Sequence, residues 1–399
     1  MNKYHNIKKV AEITDPTWDY AKTIGLHNLA VTYSGNPPFM ISNNSHKFID
    51  MASCSYLGFD THPHILQGAS EAVHKVGALH LTTPRYKMFI ELLAEVETKL
   101  TNHYKNEAIC YITCSAATSA FLPIYASGIV SEGQLPFMIF DKNAHFSINH
   151  VKPICGDATE VVTCNHNDLD YIEDMCKIHK KVAYIAEGAY SISGFSPIDD
   201  LITLQEKYGL FLYFDDSHAL SVIGKNGEGY ILEKFGTLNE DTVVVSSLAK
   251  AFGACGGVMF TGNKQLKEKL IRYGNSWSQY LNSAGLGAIN ASLELHKTGE
   301  LQARQAKWRE NLQYIDQQFP YALNAGTLSP TRVIKIDSTE RLLEIAKYMF
   351  DFGFYVSPLF FPTVAKDSAG IRFMPRADMN LEHLENFSSI LKRIYGLIT

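Results

Sequence analysis

Phe214-Asp215-Asp216-Ser217-His218 and Ser246-Ser247-Leu248-Ala249-Lys250-Ala251-Phe252-Gly253 decide the fold. Each follows a short apolar run, Leu210 to Phe214 and Thr242 to Val245, with little polar alternation. That is the signature of parallel strands covered on both faces. In open α/β sheets, ligands bind at the carboxyl ends of such strands. An Asp just past one strand and a Lys just past another therefore belong to one site.

Those two groups are what pyridoxal phosphate needs. A lysine amine joins the cofactor aldehyde, and a carboxylate keeps the pyridine nitrogen protonated so that the ring accepts electrons. His218, three residues beyond Asp215, lets one loop place a carboxylate and an imidazole side by side. Small and hydroxylated residues flank Lys250, with Ser246 and Ser247 before it and Gly253, Gly256 and Gly257 after it. They leave room for a phosphate and a ring at close range. A lone lysine after a strand is otherwise a solvated helix-start residue.

Working outward, Ala108 to Thr113, Phe137 to Phe140, Glu160 to Thr163, Val182 to Ala186 and Val258 to Thr261 are further strand candidates. Helical patterns lie between them at Phe89 to His103, Asp168 to His179 and Ile202 to Tyr208. This βαβ rhythm predicts an α/β fold with a mainly parallel central sheet and helices on both faces. Residues 1–50 read as an N-terminal arm, with a turn cluster Ser34-Gly35-Asn36-Pro37-Pro38 and a hairpin across Asn43-Asn44. Residues 51–285 read as the large cofactor domain. Residues 286–399 read as a smaller C-terminal α+β domain, opening with one long helix from Gly287 to Phe319, continuing with strands near Thr331 to Ile336 and Phe354 to Val356, and closing with a helix over Leu381 to Tyr395.

Composition narrows the function. Hydrophobic residues make up 46% and charged residues 19%, with a net charge of −5, so nothing draws the chain to nucleic acid or an anionic membrane. No stretch reaches the length of a membrane span, and Met1 to Tyr20 has no apolar core of a leader peptide. Seven cysteines without a regular framework fit reduced thiols and a cytoplasmic location, and Cys110 with Cys114 lacks the second pair a metal site requires.

With these motifs in place, the chain resembles the α-oxoamine synthase family of fold-type I pyridoxal-phosphate enzymes. The likeness is collinear from Tyr56 onward and sharpest at Ser55 to Gly58, Asp141 to His145, Glu187 to Gly194, Phe214 to Gly229, Ser246 to Gly257 and Phe361 to Pro375. The resemblance implies a homodimeric enzyme with shared active sites that condenses a small α-amino acid with an acyl thioester, losing carbon dioxide to give an α-aminoketone. It assigns Lys250 to the covalent cofactor link, Asp215 to the ring nitrogen, and His218 and Ser191 to the ring hydroxyl. His145 would stack on the ring, against the alternative of a packed histidine. Thr113, Cys114 and Ser115 would hold the phosphate through backbone amides at a helix N-terminus, with Ser247 adding a hydroxyl. Glu187 would lie near the cofactor, and Ser283 would reach the phosphate of the partner subunit or else cap a helix. Arg372 would fork onto the substrate carboxylate.

Departures from the family fall on the substrate side. Ser55 stands where the family has Asn, and Ser193 replaces its usual Asp. Leu79 to Met88 replaces a glycine-rich segment, so Arg85 either recognises an anionic substrate group or pairs with a surface carboxylate. The altered segment keeps open an aminotransferase or related carbanion reaction. A cofactor-free scaffold is the remaining alternative, disfavoured by the presence of Lys250, Asp215 and His218 together.

Overall fold

The computed structural model describes residues 7–35, 38–274, 280–365 and 368–398. It divides into two compact units, one of Phe59–Gln302 and one of Met1–Gly58 with Ala303–Thr399.

The Phe59–Gln302 unit is built on seven strands: β1 (Glu107–Tyr111), β2 (Phe137–Asp141), β3 (Val161–Cys164), β4 (Val182–Glu187), β5 (Phe211–Asp215), β6 (Thr242–Ser247) and β7 (Gly257–Thr261). Their spatial order is β1-β7-β6-β5-β4-β2-β3. All neighbours from β6 to β3 run parallel, whereas β7 lies antiparallel between β6 and β1. Each predicted strand is present to within a residue or two. The apolar runs are explained by burial on both faces. Leu212, Phe214 and Val244 pack into one core with the helices Glu91–Tyr104 and Ile198–Tyr208. Phe211, Tyr213 and Val243 pack into another with Cys114–Ala126 and Leu266–Tyr273. A strand's period of two sends alternate residues to opposite faces, so both must be apolar here.

The other unit carries the helix Ile7–Thr23 and a sheet in which Val31–Tyr33, Phe39–Ser42 and Lys47–Asp50 form an antiparallel meander. The expected hairpin across Asn43-Asn44 is the second of its connections; Asn36 and Pro37 of the preceding turn cluster lie outside the described residues. Phe354–Tyr355 adds in parallel to Lys47–Asp50. A second, antiparallel sheet orders Arg332–Lys335, Gly370–Phe373 and Ser357–Leu359. One apolar core joins Phe48, Ile49 and Met51 to Leu342, Phe373, Phe387 and Leu391.

Two expectations are corrected. The long helix from Gly287 to Phe319 is two helices, Ser283–His296 and Gly299–Gln318. Thr298 makes the break: its hydroxyl donates to the Leu295 carbonyl at 2.8 Å and accepts from the Glu300 amide at 3.2 Å. The division at 50 and 285 also differs from the units observed. Residues before Gly58 share a core with the C-terminal residues rather than forming a separate arm. Ser283–His296 belongs with Phe59–Gln302 because it lies hard against the helix Pro63–Val76. A Cβ on Gly287 would stand 2.2 Å from the Gly68 carbonyl, and one on Gly68 would stand 2.6 Å from the Ala291 Cβ. Only glycine permits that approach.

Candidate active site

The carboxyl ends of β4, β5 and β6 bring the charged groups of the Phe59–Gln302 unit together. Glu187 ends β4 and Asp215 ends β5, and the two are register partners, so two buried carboxyl groups stand side by side. Burial first, then the neighbouring Asp215 charge, pushes the Glu187 carboxyl well above its ordinary range; Lys250 and the His145 amide pull the other way. Burial therefore favours the protonated form of Glu187 beside Asp215.

Asp215 is held from two sides. Its Oδ1 accepts the Ser217 amide at 3.0 Å, and its Oδ2 lies 3.5 Å from the Cys114 Sγ. Burial and the Asp215 charge push the Cys114 thiol far up, so it stays a donor. After β6 the chain turns at Lys250, whose Nζ lies 2.8 Å from the Nε2 of the buried His218. Of the residues expected to meet here, Lys250 and His218 are in direct contact, and Asp215 ends the strand that leads into the His218 turn.

Thr113 caps the helix Cys114–Ala126, its side chain accepting the Ala116 amide at 3.0 Å. The first amides of the helix, including those of Cys114 and Ser115, point to its start, the arrangement that suits an anion. β7 runs directly beneath. A Cβ on Gly257 would stand 2.4 Å from the Cys114 nitrogen, so the cradle requires glycine there. Ser247 closes β6; its amide donates to the Ser217 Oγ at 2.7 Å, and its own Oγ accepts the Ala249 amide at 3.3 Å. Ser191 sits in the turn closed by the bridge between Ala189 and Phe195. His145 precedes the short helix Phe146–Asn149, with Nδ1 2.9 Å from the Ser147 Oγ.

Two assignments change. Arg85 neither lies on the surface nor waits for an anion: it is 8% exposed and grips Glu97, itself 2% exposed, through two bonds of 2.9 and 2.7 Å. Glu97 also accepts the Cys110 amide at 2.8 Å and meets Lys267 at 3.0 Å. Ser283 is fully buried, and its hydroxyl donates to the Ala78 carbonyl at 2.7 Å; the helix cap is Asn282, not Ser283.

Arg372 and Ser55 lie in the other unit. The Arg372 Nη2 reaches the Ser357 Oγ at 3.4 Å, and its Nε has no partner among the described residues. The buried Ser55 hydroxyl has none either.

The sequence reading passed over Ser217, although it lies inside the quoted motif. Its Oγ donates to the Cys114 Sγ at 3.6 Å and accepts the Ser247 amide, joining the cradle to the Lys250 turn. It also passed over His166, a lone loop histidine with no motif to mark it. Its Nδ1 lies 3.1 Å from the Oδ1 of Asp141, at the end of β2, and Tyr184 donates to the other oxygen at 2.8 Å. Burial alone would raise the Asp141 carboxyl, but these bonds and the amides of Asn167 and Asn143 outweigh it and hold it low.

Residues 46–391 match the model of the aminotransferase class I and II family. The 8-amino-7-oxononanoate synthase of Alkaliphilus metalliredigens is 27% identical, covering 99% of this chain and 98% of its own. The 8-amino-7-oxononanoate synthase 1 of Bacillus subtilis is 26% identical over 88% of this chain and 89% of its own. Among solved structures, serine palmitoyltransferase from S. paucimobilis with bound PLP-myriocin aldimine superposes with a TM-score of 0.85 at 18% identity, covering 99% of both chains. The 8-amino-7-oxononanoate synthase of Francisella tularensis superposes with a TM-score of 0.72 at 20% identity, covering 88% of this chain and 98% of that one.

Proposed function

Since the chain belongs to the aminotransferase class I and II family, we propose that it is an acyltransferase of the α-oxoamine synthase kind. It condenses a small α-amino acid with an acyl thioester, on CoA or a carrier, using pyridoxal 5′-phosphate. A carbon–carbon bond forms between the amino acid's α-carbon and the thioester carbonyl, the thiol leaves, and the α-carboxylate departs as carbon dioxide. The relatives named 8-amino-7-oxononanoate synthase support this reading over nearly the full length. The observation that carries it is the 2.8 Å contact between Lys250 and His218, beside the carboxyl pair of Asp215 and Glu187.

The residues fit the cofactor. The capped start of Cys114–Ala126, opened by Gly257, suits a phosphate, and Ser247 adds a hydroxyl. When bound, pyridoxal phosphate supplies an aldehyde for amines and a ring that accepts electron density from the α-carbon. Asp215 would hold the proton on the ring nitrogen, with the Ser217 amide and Cys114 thiol fixing its carboxyl group. His218 would orient the Lys250 Nζ, 2.8 Å away, and that amine would serve as the base for the α-proton. His145 and Ser191 would complete the ring contacts. Arg372 would bind the substrate carboxylate, and Ser55 the amino-acid portion. The enzyme acts as a homodimer. Its seven cysteines, all free, support a reducing, cytoplasmic setting, and no helix among the described residues is long and apolar enough to cross a membrane.

The test combines spectrum and stoichiometry. Purified protein absorbs near ~420 nm and releases free thiol and carbon dioxide in equal amounts only when both an amino acid and a thioester are supplied. Keto acid formed from the amino acid alone, without thiol release, overturns condensation in favour of transamination; a colourless protein that takes up no cofactor overturns both.

A further inference from the structure

Lys250 and His218 sit on separate turns, and neither turn is part of the sheet. The helix Ser283–His296 is bonded to both. The Ser292 hydroxyl donates to the carbonyl of Phe252, in the Lys250 turn, where the Gly253 amide also returns to the Lys250 carbonyl at 3.0 Å. One helical turn later, the His296 Nε2 lies 2.8 Å from the Ser221 Oγ, in the run of turns that contains His218. Residues four apart share a helix face, so one face engages both turns.

These groups are buried together. Ser221, Phe252 and Ser292 are fully covered, and His296 nearly so. The His296 Nδ1 lies 2.8 Å from the Ser292 carbonyl, which accepts its proton and fixes Nε2 as the acceptor for the Ser221 hydroxyl. Burial pushes the imidazole down to about 4, so it remains neutral. The ring also packs on Phe252 at 4.7 Å, and Gly227 leaves it space, since a Cβ there would stand 3.0 Å from Cδ2.

We propose that Ser292 and His296 form a clamp that sets the separation of the Lys250 and His218 turns, which makes them positioning residues for the reaction. The clamp rests on the assignment of Lys250 as the cofactor lysine. Its function is to hold the Lys250 Nζ against His218. A shift of an ångström at such a contact costs up to about a hundredfold in rate.

The test pairs substitutions that differ only in the clamp. His296→Gln and His296→Asn both lose the ring, but only the longer amide reaches Ser221. Ser221→Gly removes the hydroxyl at a residue whose φ of 69° suits glycine, and Ser292→Ala removes the bond to Phe252 without enlarging the side chain. Each protein is loaded with limiting pyridoxal phosphate and reduced with borohydride. The fraction fixed at Lys250 is measured by peptide mapping, alongside kcat, KM and the unfolding midpoint. Ser292→Ala, Ser221→Gly and His296→Asn are expected to lower both the fixed fraction and kcat, the latter about tenfold, with the amino-acid KM within about twofold. His296→Gln recovers most of both. Equal behaviour of His296→Gln and His296→Asn, or variants that lower only the unfolding midpoint, overturns the clamp. Cofactor fixed elsewhere than Lys250 in the wild-type protein overturns the lysine assignment and the clamp's role with it.

Discussion

Adjacent aspartates in this chain do opposite things. Asp215 faces the site as a hydrogen-bonded carboxylate, whereas Asp216 turns into the protein. The Asp216 Oδ2 accepts the Ile231 amide at 3.1 Å, and its Oδ1 has no partner among the described residues. Gly188 and Gly229 make the hole it fills, since a Cβ on either would stand 2.4 or 2.5 Å from its oxygens. Asp215→Ala is expected to cut turnover at least ~100-fold, the scale of a lost electrostatic contribution, as read from steady-state kinetics. Asp216 should instead show itself in stability. Burial, with the Asp215 charge adding to it, raises the Asp216 carboxyl from 3.8 to about 8. The folded state thus binds a proton that the unfolded state releases, and stability falls as pH rises from about 4 to about 8. Asp216→Asn should unfold at an increasingly higher temperature than the wild type across that window, and a constant difference would refute the assignment. At Arg85 the expected effect is also structural. Arg85→Ala leaves the buried Glu97 short of its main partner, which should cost about 3 kcal/mol in denaturant unfolding while leaving KM values unchanged. Lys250→Ala should fold and bind cofactor, but borohydride should fix none to it.

At the scale of elements, legibility followed burial. The strands of the central sheet were readable because two covered faces make each a continuous apolar word, and because Asp215 and Lys250 mark where two of them end. The helix Ile7–Thr23 was not, since it carries Pro16 and a mixed, largely polar face. The break at Thr298-Gly299 was passed over although Gly299 is a break signal, because helical residues continue on both sides of it. The roles of Arg85 and Ser283 were hidden for another reason: their partners, Glu97 and Ala78, are set by packing and by no local pattern. Gly257 was legible as room for a ligand, yet its sharper demand comes from the strand-to-helix crossing. Gly257→Ala pushes a methyl against the Cys114 nitrogen, an overpacking worth about 2 kcal/mol. The expected result is a protein that loses pyridoxal phosphate on dialysis under conditions where the wild type retains it.

For the whole molecule, the expectation is a homodimer. Sedimentation velocity should show one species at twice the 44.6 kDa chain mass, and a fully active monomer at nanomolar concentration would sink the shared-site idea. The antiparallel seat of β7 between β1 and β6 has a consequence for biosynthesis. As the chain leaves the ribosome, β1 and the helix Cys114–Ala126 behind it emerge early, but among the described residues β1 has no neighbour in the sheet except β7. Until Gly257–Thr261 is synthesised, that strand and helix remain a loose end. The cost of closing so long a loop falls on the last step of sheet assembly. Nascent chains released before Gly257 should capture no cofactor, however complete their other strands, so the cofactor joins a finished sheet and does not template one.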